Sequence, residues 1–372
     1  MHQFSFLILL ITCLIVKSCS DELVVIQKPE EDLLGVESLS YFPPTNSNDW
    51  TTLQPDEIGW NVVKLSELYD FHEENGTRAF IILKDGKIVV EQYWGNNFQG
   101  SSFNRDSYWY WASAGKIVIS FLIGIAQEEG LLNIEDKSSD YLGKGWTSLP
   151  PEQESLISIR HQLTMTTGLN YEVEDLNCTT PNCLTYKTDA GDQWYYHNAP
   201  YLLLKDVITQ ASGIDYNAYT EQKLENRIGM TGEWLQGQNL EVYWSSARDM
   251  ARFGLLILNQ GVWDNQSILS DQTYFQDMSS TSQDLNPSYG YLFWLNGKSA
   301  IIYPGFERSF TQPLAPEAPS DLYAAIGKNG QFINIIPNEN MVVIRMGEAP
   351  SESLVPISFH NEMWKIMNQL IQ

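Results

Sequence analysis

Strand-like apolar runs sit near both ends of this chain with helical patterns between them, and that arrangement limits the fold more than any other feature. Near the front, Arg78-Ala79-Phe80-Ile81-Ile82-Leu83 and Lys87-Ile88-Val89-Val90-Glu91-Gln92-Tyr93-Trp94 flank Lys84-Asp85-Gly86. Asp-Gly supplies the positive φ angles of a tight hairpin turn. Near the end, Ala324-Ala325-Ile326, Gln331 to Ile336 and Met341 to Arg345 are separated by Gly-rich and Pro-Asn turns. A helical pattern runs from about Ser113 to Glu129, with Ile117, Phe121 and Ile125 every four residues and Gly130 as its stop. Ile159 to Thr166, Ala199 to Ala211, Ser246 to Asn259 and Pro356 to Leu370 also read as helical. Strands from distant segments imply one antiparallel sheet flanked by helices, an α+β fold with a mostly helical insertion. The folded domain is expected over 56–372, its sheet part over about 56–130 and 285–372, and the insertion over about 131–284. Hydrophobic residues make up 43% and aromatics 12%, ample for a core of that size.

The front of the chain reads as an address. Phe4 to Val16 is an apolar run too short to span a bilayer comfortably, and it reads as the core of a signal peptide over 1–18. No basic residue precedes it. Ser18-Cys19 resembles a bacterial lipoprotein cleavage box, with Cys19 as the lipidated terminus, although Lys17 departs from the usual residue there. Ordinary secretion and a retained anchor are the alternatives. Pro, Ser, Asn and acidic residues over 19–55 read as a tether and extended lead-in. The expected location is the periplasm or outer membrane of a Gram-negative bacterium, lipid-anchored if Cys19 is modified. In that compartment Cys178 and Cys183, five residues apart in a turn-rich loop, are candidates for a disulfide or for two free thiols. A net charge of -24 repels phosphate backbones, so nucleic acid is not an expected partner.

Ser113-Ala114-Gly115-Lys116 places a hydroxyl and an amine three residues apart at a predicted helix start. A serine attacks a carbonyl only when a base takes its proton, and a lysine serves when burial lowers its pKa. Taken alone, Ser113 would serve equally as a helix cap. The second element is Tyr196-His197-Asn198, directly before a Leu-rich helical run.

Ser-x-x-Lys followed about 80 residues later by Tyr-x-Asn resembles class C β-lactamases, the DD-peptidases of that branch, and related esterases and amide hydrolases. Ile159 to Leu169, Ser246 to Gly254 and Tyr289 to Trp294 are similar to further segments of that family, in the same order. The resemblance implies a β-lactamase/transpeptidase-like fold and an acyl-enzyme mechanism. It makes Ser113 the nucleophile, Lys116 its proton acceptor, and Tyr196 a general acid or base. Asn198 would orient the lysine or a substrate amide.

The family's third motif, Lys-Thr-Gly or His-x-Gly, is altered. Ala324-Ala325-Ile326-Gly327-Lys328 keeps the glycine, but Ala325 stands where the cation belongs. Branches resembling 6-aminohexanoate-dimer hydrolase also lack the strict motif. Gly327 and Lys328 are candidates to border the substrate and complete an oxyanion hole with the Ser113 N–H. His197 and Trp194 are further candidates to line the site, with structural packing as the alternative for each. The aromatic run Tyr108-Trp109-Tyr110-Trp111 would wall a pocket or fill the core. Phosphate-loop and dinucleotide signatures are absent and metal ligands do not cluster, so neither cofactor nor metal is expected. The expected substrate is a small-molecule or short-peptide amide or ester.

Overall fold

The computed structural model describes residues 40–237, 240–353 and 355–371. The leader and Cys19 lie outside the described residues. The strands are β1 (Thr77–Lys84), β2 (Lys87–Tyr93), β3 (Tyr108–Tyr110), β4 (Gly232–Gln236), β5 (Glu241–Ser246), β6 (Val262–Trp263), β7 (Gln266–Ser267), β8 (Trp294–Leu295), β9 (Tyr323–Gly327), β10 (Gln331–Ile336) and β11 (Met341–Gly347). Six of them form one sheet in the order β2-β1-β11-β10-β9-β8. The ends of the chain meet where β1 pairs antiparallel with β11, Phe80 opposite Arg345 and Ile81 opposite Ile344. The fold is therefore α+β, with its main sheet built from both ends of the sequence.

Local chemistry sets the hairpin. Asp85 and Gly86, at φ 52° and 76°, form its two-residue turn. Gly86 is also required by space, since a Cβ there would stand 1.9 Å from the Tyr41 carbonyl oxygen. Residues 40–55 run extended along this hairpin. Tyr41 N–H donates to Asp85 O, Leu53 N–H to Ile88 O, and Ile88 N–H to Thr51 O. The segment read as a lead-in thus covers the outer edge of β2, which would otherwise offer unpaired backbone groups.

Helices cover both faces of the sheet, which explains why its strands read as continuous apolar runs rather than alternating ones. Ile333 on β10 approaches Gly254 of the helix Ala247–Leu258, where a Cβ would sit 2.7 Å from Val342. Its neighbour Phe332 points the other way, to Phe359 of the helix Ile357–Ile371. Ser246 caps the first of these helices and Asp249 completes its capping box.

The insertion is not purely helical. β3, β5 and β4 form a second sheet in that order. The pattern hid it because β4 buries only Trp234, so no alternation marks the strand. Of two predicted helices, one is shorter than expected and the other is broken in the middle. The first covers Ile159–Leu163, and the second is split into Asn198–Leu202 and Leu204–Ser212. Cys178 and Cys183 form a disulfide. Among the described residues no helix is long and apolar enough to cross a membrane.

Arg345 ties the sheet to its surroundings. It is fully buried, and burial pushes its guanidinium pKa down to about 9. Its Nε donates to Thr77 Oγ1, Nη1 to Asn329 O and Gly330 O, and Nη2 to Asn75 O and Glu348 O. Removing it orphans several buried acceptors at once. Arg345→Met should therefore destabilise the protein by about 3 kcal/mol or more in urea unfolding. A loss below about 1 kcal/mol would contradict this account of the clamp.

Candidate active site

The site begins where β3 ends. Trp111 is buried, its N–H donates to Tyr243 O, and its Nε1 donates to Ser245 Oγ at 2.8 Å. With Trp111 fixed, the chain turns sharply at Ala112, which holds φ 47°, a region non-glycine residues seldom adopt. Ala112–Gly115 is a 3₁₀ turn and the α-helix Lys116–Glu128 follows. Ser113 is thus not the cap of an α-helix that starts at its own position. It stands in a tighter helix with three residues per turn, where positions i and i+3 eclipse. Lys116 Nζ accordingly lies 2.8 Å from Ser113 Oγ.

Lys116 is 2% exposed, while Ser113 is half-buried and reachable. Among the described residues no carboxylate pairs with the amine. Burial alone pushes its pKa well below the usual lysine range. Its neighbours are aromatic: the ring centroid of Tyr201 lies 3.9 Å from Nζ and that of Tyr196 4.8 Å. Burial pushes the pKa of the Tyr196 phenol up, with Ser113 acting the other way, so the phenol keeps its proton at neutral pH. Tyr196 stacks on Trp294 at 5.8 Å and meets Tyr289 edge-on.

Gly327 on β9 forms the facing wall. A Cβ there would stand 2.6 Å from Trp111 O, 2.9 Å from Ala114 N and 3.1 Å from Ser113 N. The strand approaches the serine turn too closely for any side chain, so the glycine is needed for space.

Ser113, Lys116, Tyr196 and Gly327 therefore converge, and the other candidates do not join them in the same way. Asn198 Nδ2 donates to Asn177 Oδ1 at 2.8 Å, next to the disulfide, and its own Oδ1 is buried without a partner. Trp194, read as a substrate contact, is instead a core residue, 1% exposed and packed edge-on to Tyr289 and Trp294 behind Tyr196. His197 is buried beside Met165, Tyr171 and Tyr195, and burial lowers its pKa to about 4. Lys328 is exposed in the turn after β9. Trp109 and Trp111 fill the core, whereas Tyr108 is exposed. Sequence reasoning missed Tyr201. The available signal was its place five residues after Tyr196 in the helix that follows, but the Leu-rich run absorbed it as a core position.

The model of the Beta-lactamase family matches residues 73–352. The chain belongs to that family. An uncharacterized protein of Alkalihalophilus pseudofirmus is 24% identical over 332 residues, covering 81% of this chain and 91% of that one. A Bacillus anthracis protein assigned as a 6-aminohexanoate-dimer hydrolase has a similar fold, with TM-score 0.64 and 18% identity over 88% of this chain and 89% of that one. A penicillin-binding protein from Bacillus halodurans gives TM-score 0.59 and 18% identity, covering 81% of this chain and 99% of that one. At these identities the two structures establish the fold.

The close approach of β9 generates a prediction. Gly327→Ala forces a Cβ against three backbone atoms that cannot rotate away, so it should cost about 1–3 kcal/mol in thermal or urea unfolding. An unchanged midpoint would show that β9 does not press on the serine turn.

Proposed function

We propose that the protein is an exported serine hydrolase that cleaves an amide or ester bond through an acyl-enzyme on Ser113. The observation that carries this reading is the 2.8 Å contact between Ser113 Oγ and a buried, unpaired Lys116 amine. Because burial disfavours the ammonium form, the amine is free to accept the serine proton. Ser113 Oγ then bonds to the carbonyl carbon, and the backbone N–H of Ser113, with one from Gly327 to Lys328, would hold the oxyanion. Collapse expels the leaving group, which takes a proton from the Lys116 ammonium by way of the Tyr196 phenol. Water repeats the sequence to release the acid. The high pKa of Tyr196 supports its role as proton carrier rather than first base.

The substrate is proposed to be a small-molecule or short-peptide amide or ester. Ala325 and the exposed Lys328 argue against tight recognition of a β-lactam carboxylate. Export to the periplasm or outer membrane, with a lipid on Cys19, is part of the same proposal. The Cys178–Cys183 disulfide supports it, since such bonds persist in oxidising compartments.

The test is turnover of a panel of p-nitrophenyl esters, short linear amides, D-amino-acid peptides and nitrocefin. The wild type should hydrolyse at least one class, Ser113→Ala should abolish turnover, and Lys116→Ala should lower kcat/KM by about 10²–10⁴. Saturable binding without turnover, unchanged in both variants, would instead establish a non-catalytic envelope protein. The pH profile follows from the two shifts. The rate should rise as pH passes upward through the depressed Lys116 pKa, below the usual lysine range, then hold a plateau while Tyr196 keeps its proton. A rate that begins to rise only near pH 10 would contradict a buried neutral amine.

A further inference from the structure

We propose that Tyr201 is a positioning residue whose ring face holds the Lys116 ammonium that forms during catalysis, in place of a polar partner. The inference rests on the acyl-enzyme reading above and adds a residue to it. When the Ser113 proton moves to Lys116, the hydroxyl oxygen bonds to the carbonyl carbon. One positive charge appears on Nζ and one negative charge on the carbonyl oxygen. The positive charge arises in a space closed to water, because Lys116 and Tyr201 are each 2% exposed. An unpaired buried cation is costly, so something must stabilise it during the lifetime of the oxyanion.

The polar candidates are absent or turned elsewhere. Among the described residues no carboxylate is within ion-pair distance of Lys116. Asn198, the amide nearest in sequence to Tyr196, gives its Nδ2 to Asn177, and its Oδ1, the atom that could accept from an ammonium, makes no hydrogen bond to Lys116 or to any other group. What faces the amine is Tyr201, with its ring centroid 3.9 Å from Nζ, and the ring of Tyr196 at 4.8 Å. Both distances lie well inside the range of cation–π attraction, which strengthens when the site is dry. Tyr201 is locked for this task, since it belongs to the helix Asn198–Leu202 that begins two residues after Tyr196. The same attraction vanishes when the amine returns its proton, so the ring favours the charged state that the reaction creates.

Tyr196 and Tyr201 are the titratable groups facing the amine. Tyr289 stands behind both, and Glu241, paired with Lys205, acts on Tyr201. Charged groups on the elements packed against the Lys116–Glu128 helix engage other partners. Glu128 accepts from Ser270, Glu129 pairs with Lys223, and Glu225 accepts from Tyr243. Lys205 acts on Asp206, Glu221 on Glu225, and Asp277 on Tyr291. The acidic limb of Ser113 reactivity therefore reports on Lys116.

The experiment follows the rate of Ser113 labelling by a fluorophosphonate against pH, so no natural substrate is needed. Tyr201→Leu removes the ring, and the limb should move to lower pH by about half a unit or more. Tyr201→Phe keeps the ring and should leave the limb in place. Should the leucine variant fail to fold, phenylalanines with two to four ring fluorines at position 201 preserve shape while draining the ring face of charge. The limb should move further acidward with each fluorine. A limb that stays fixed across the fluorinated series overturns the role of Tyr201 while the acyl-enzyme reading stands. Wild-type protein unlabelled at Ser113 overturns both.

Discussion

A primary amine buried without a counter-charge organises this molecule. Lys116 is as buried as the leucines around it, yet it is held 2.8 Å from the hydroxyl of Ser113. Such a group is tolerable when neutral and costly when charged. In the proposed mechanism that asymmetry turns a surface-type residue into a base for a serine that solvent can reach. The 3₁₀ turn eclipses the two side chains, and the aromatic wall of Tyr196 and Tyr201 keeps the amine dry.

The sheet brings the facing wall to this amine. β9 passes so near the turn that only Gly327 fits, and the residues after it are fixed from two sides. Asn329 Nδ2 donates to the Tyr110 hydroxyl at 2.7 Å, which joins the β9 turn to the strand leading into Ser113. Arg345 clamps Asn329 and Gly330 while also holding Asn75 near the front of the chain. The β1–β11 pairing thus does more than close the fold. It sets the distance between a turn contributed by the first third of the sequence and a strand contributed by the last.

The frame was legible because its physics is local. Asp85-Gly86 announces its hairpin, the apolar runs of β1, β10 and β11 are long enough to read, and Ser246 marks the helix it caps. The spacing of Ser113 and Lys116 is likewise visible in the chain. What sequence hid depends on contacts between distant residues. β4 buries one side chain and carries no alternation, so the second sheet could not be seen. Trp194 and Trp294 read alike as aromatics, and only packing shows Trp194 behind Tyr196 rather than beside the serine. Asn198 sits in the expected motif, but the loop carrying Asn177 decides where its amide points. Residues 40–55 look like a tether in composition, and their bonds to the hairpin edge appear only in three dimensions.

The central claim is that the Lys116 side chain is an uncharged amine at neutral pH, and NMR of the protein carrying ¹⁵Nζ,¹³Cε-labelled lysine observes that state directly. A Lys116→Arg sample assigns the resonance by its disappearance. The account predicts an amine-type shift at pH 7–8 that turns to the ammonium type only on acidification. A resonance of ammonium type that persists to pH 10 would contradict it.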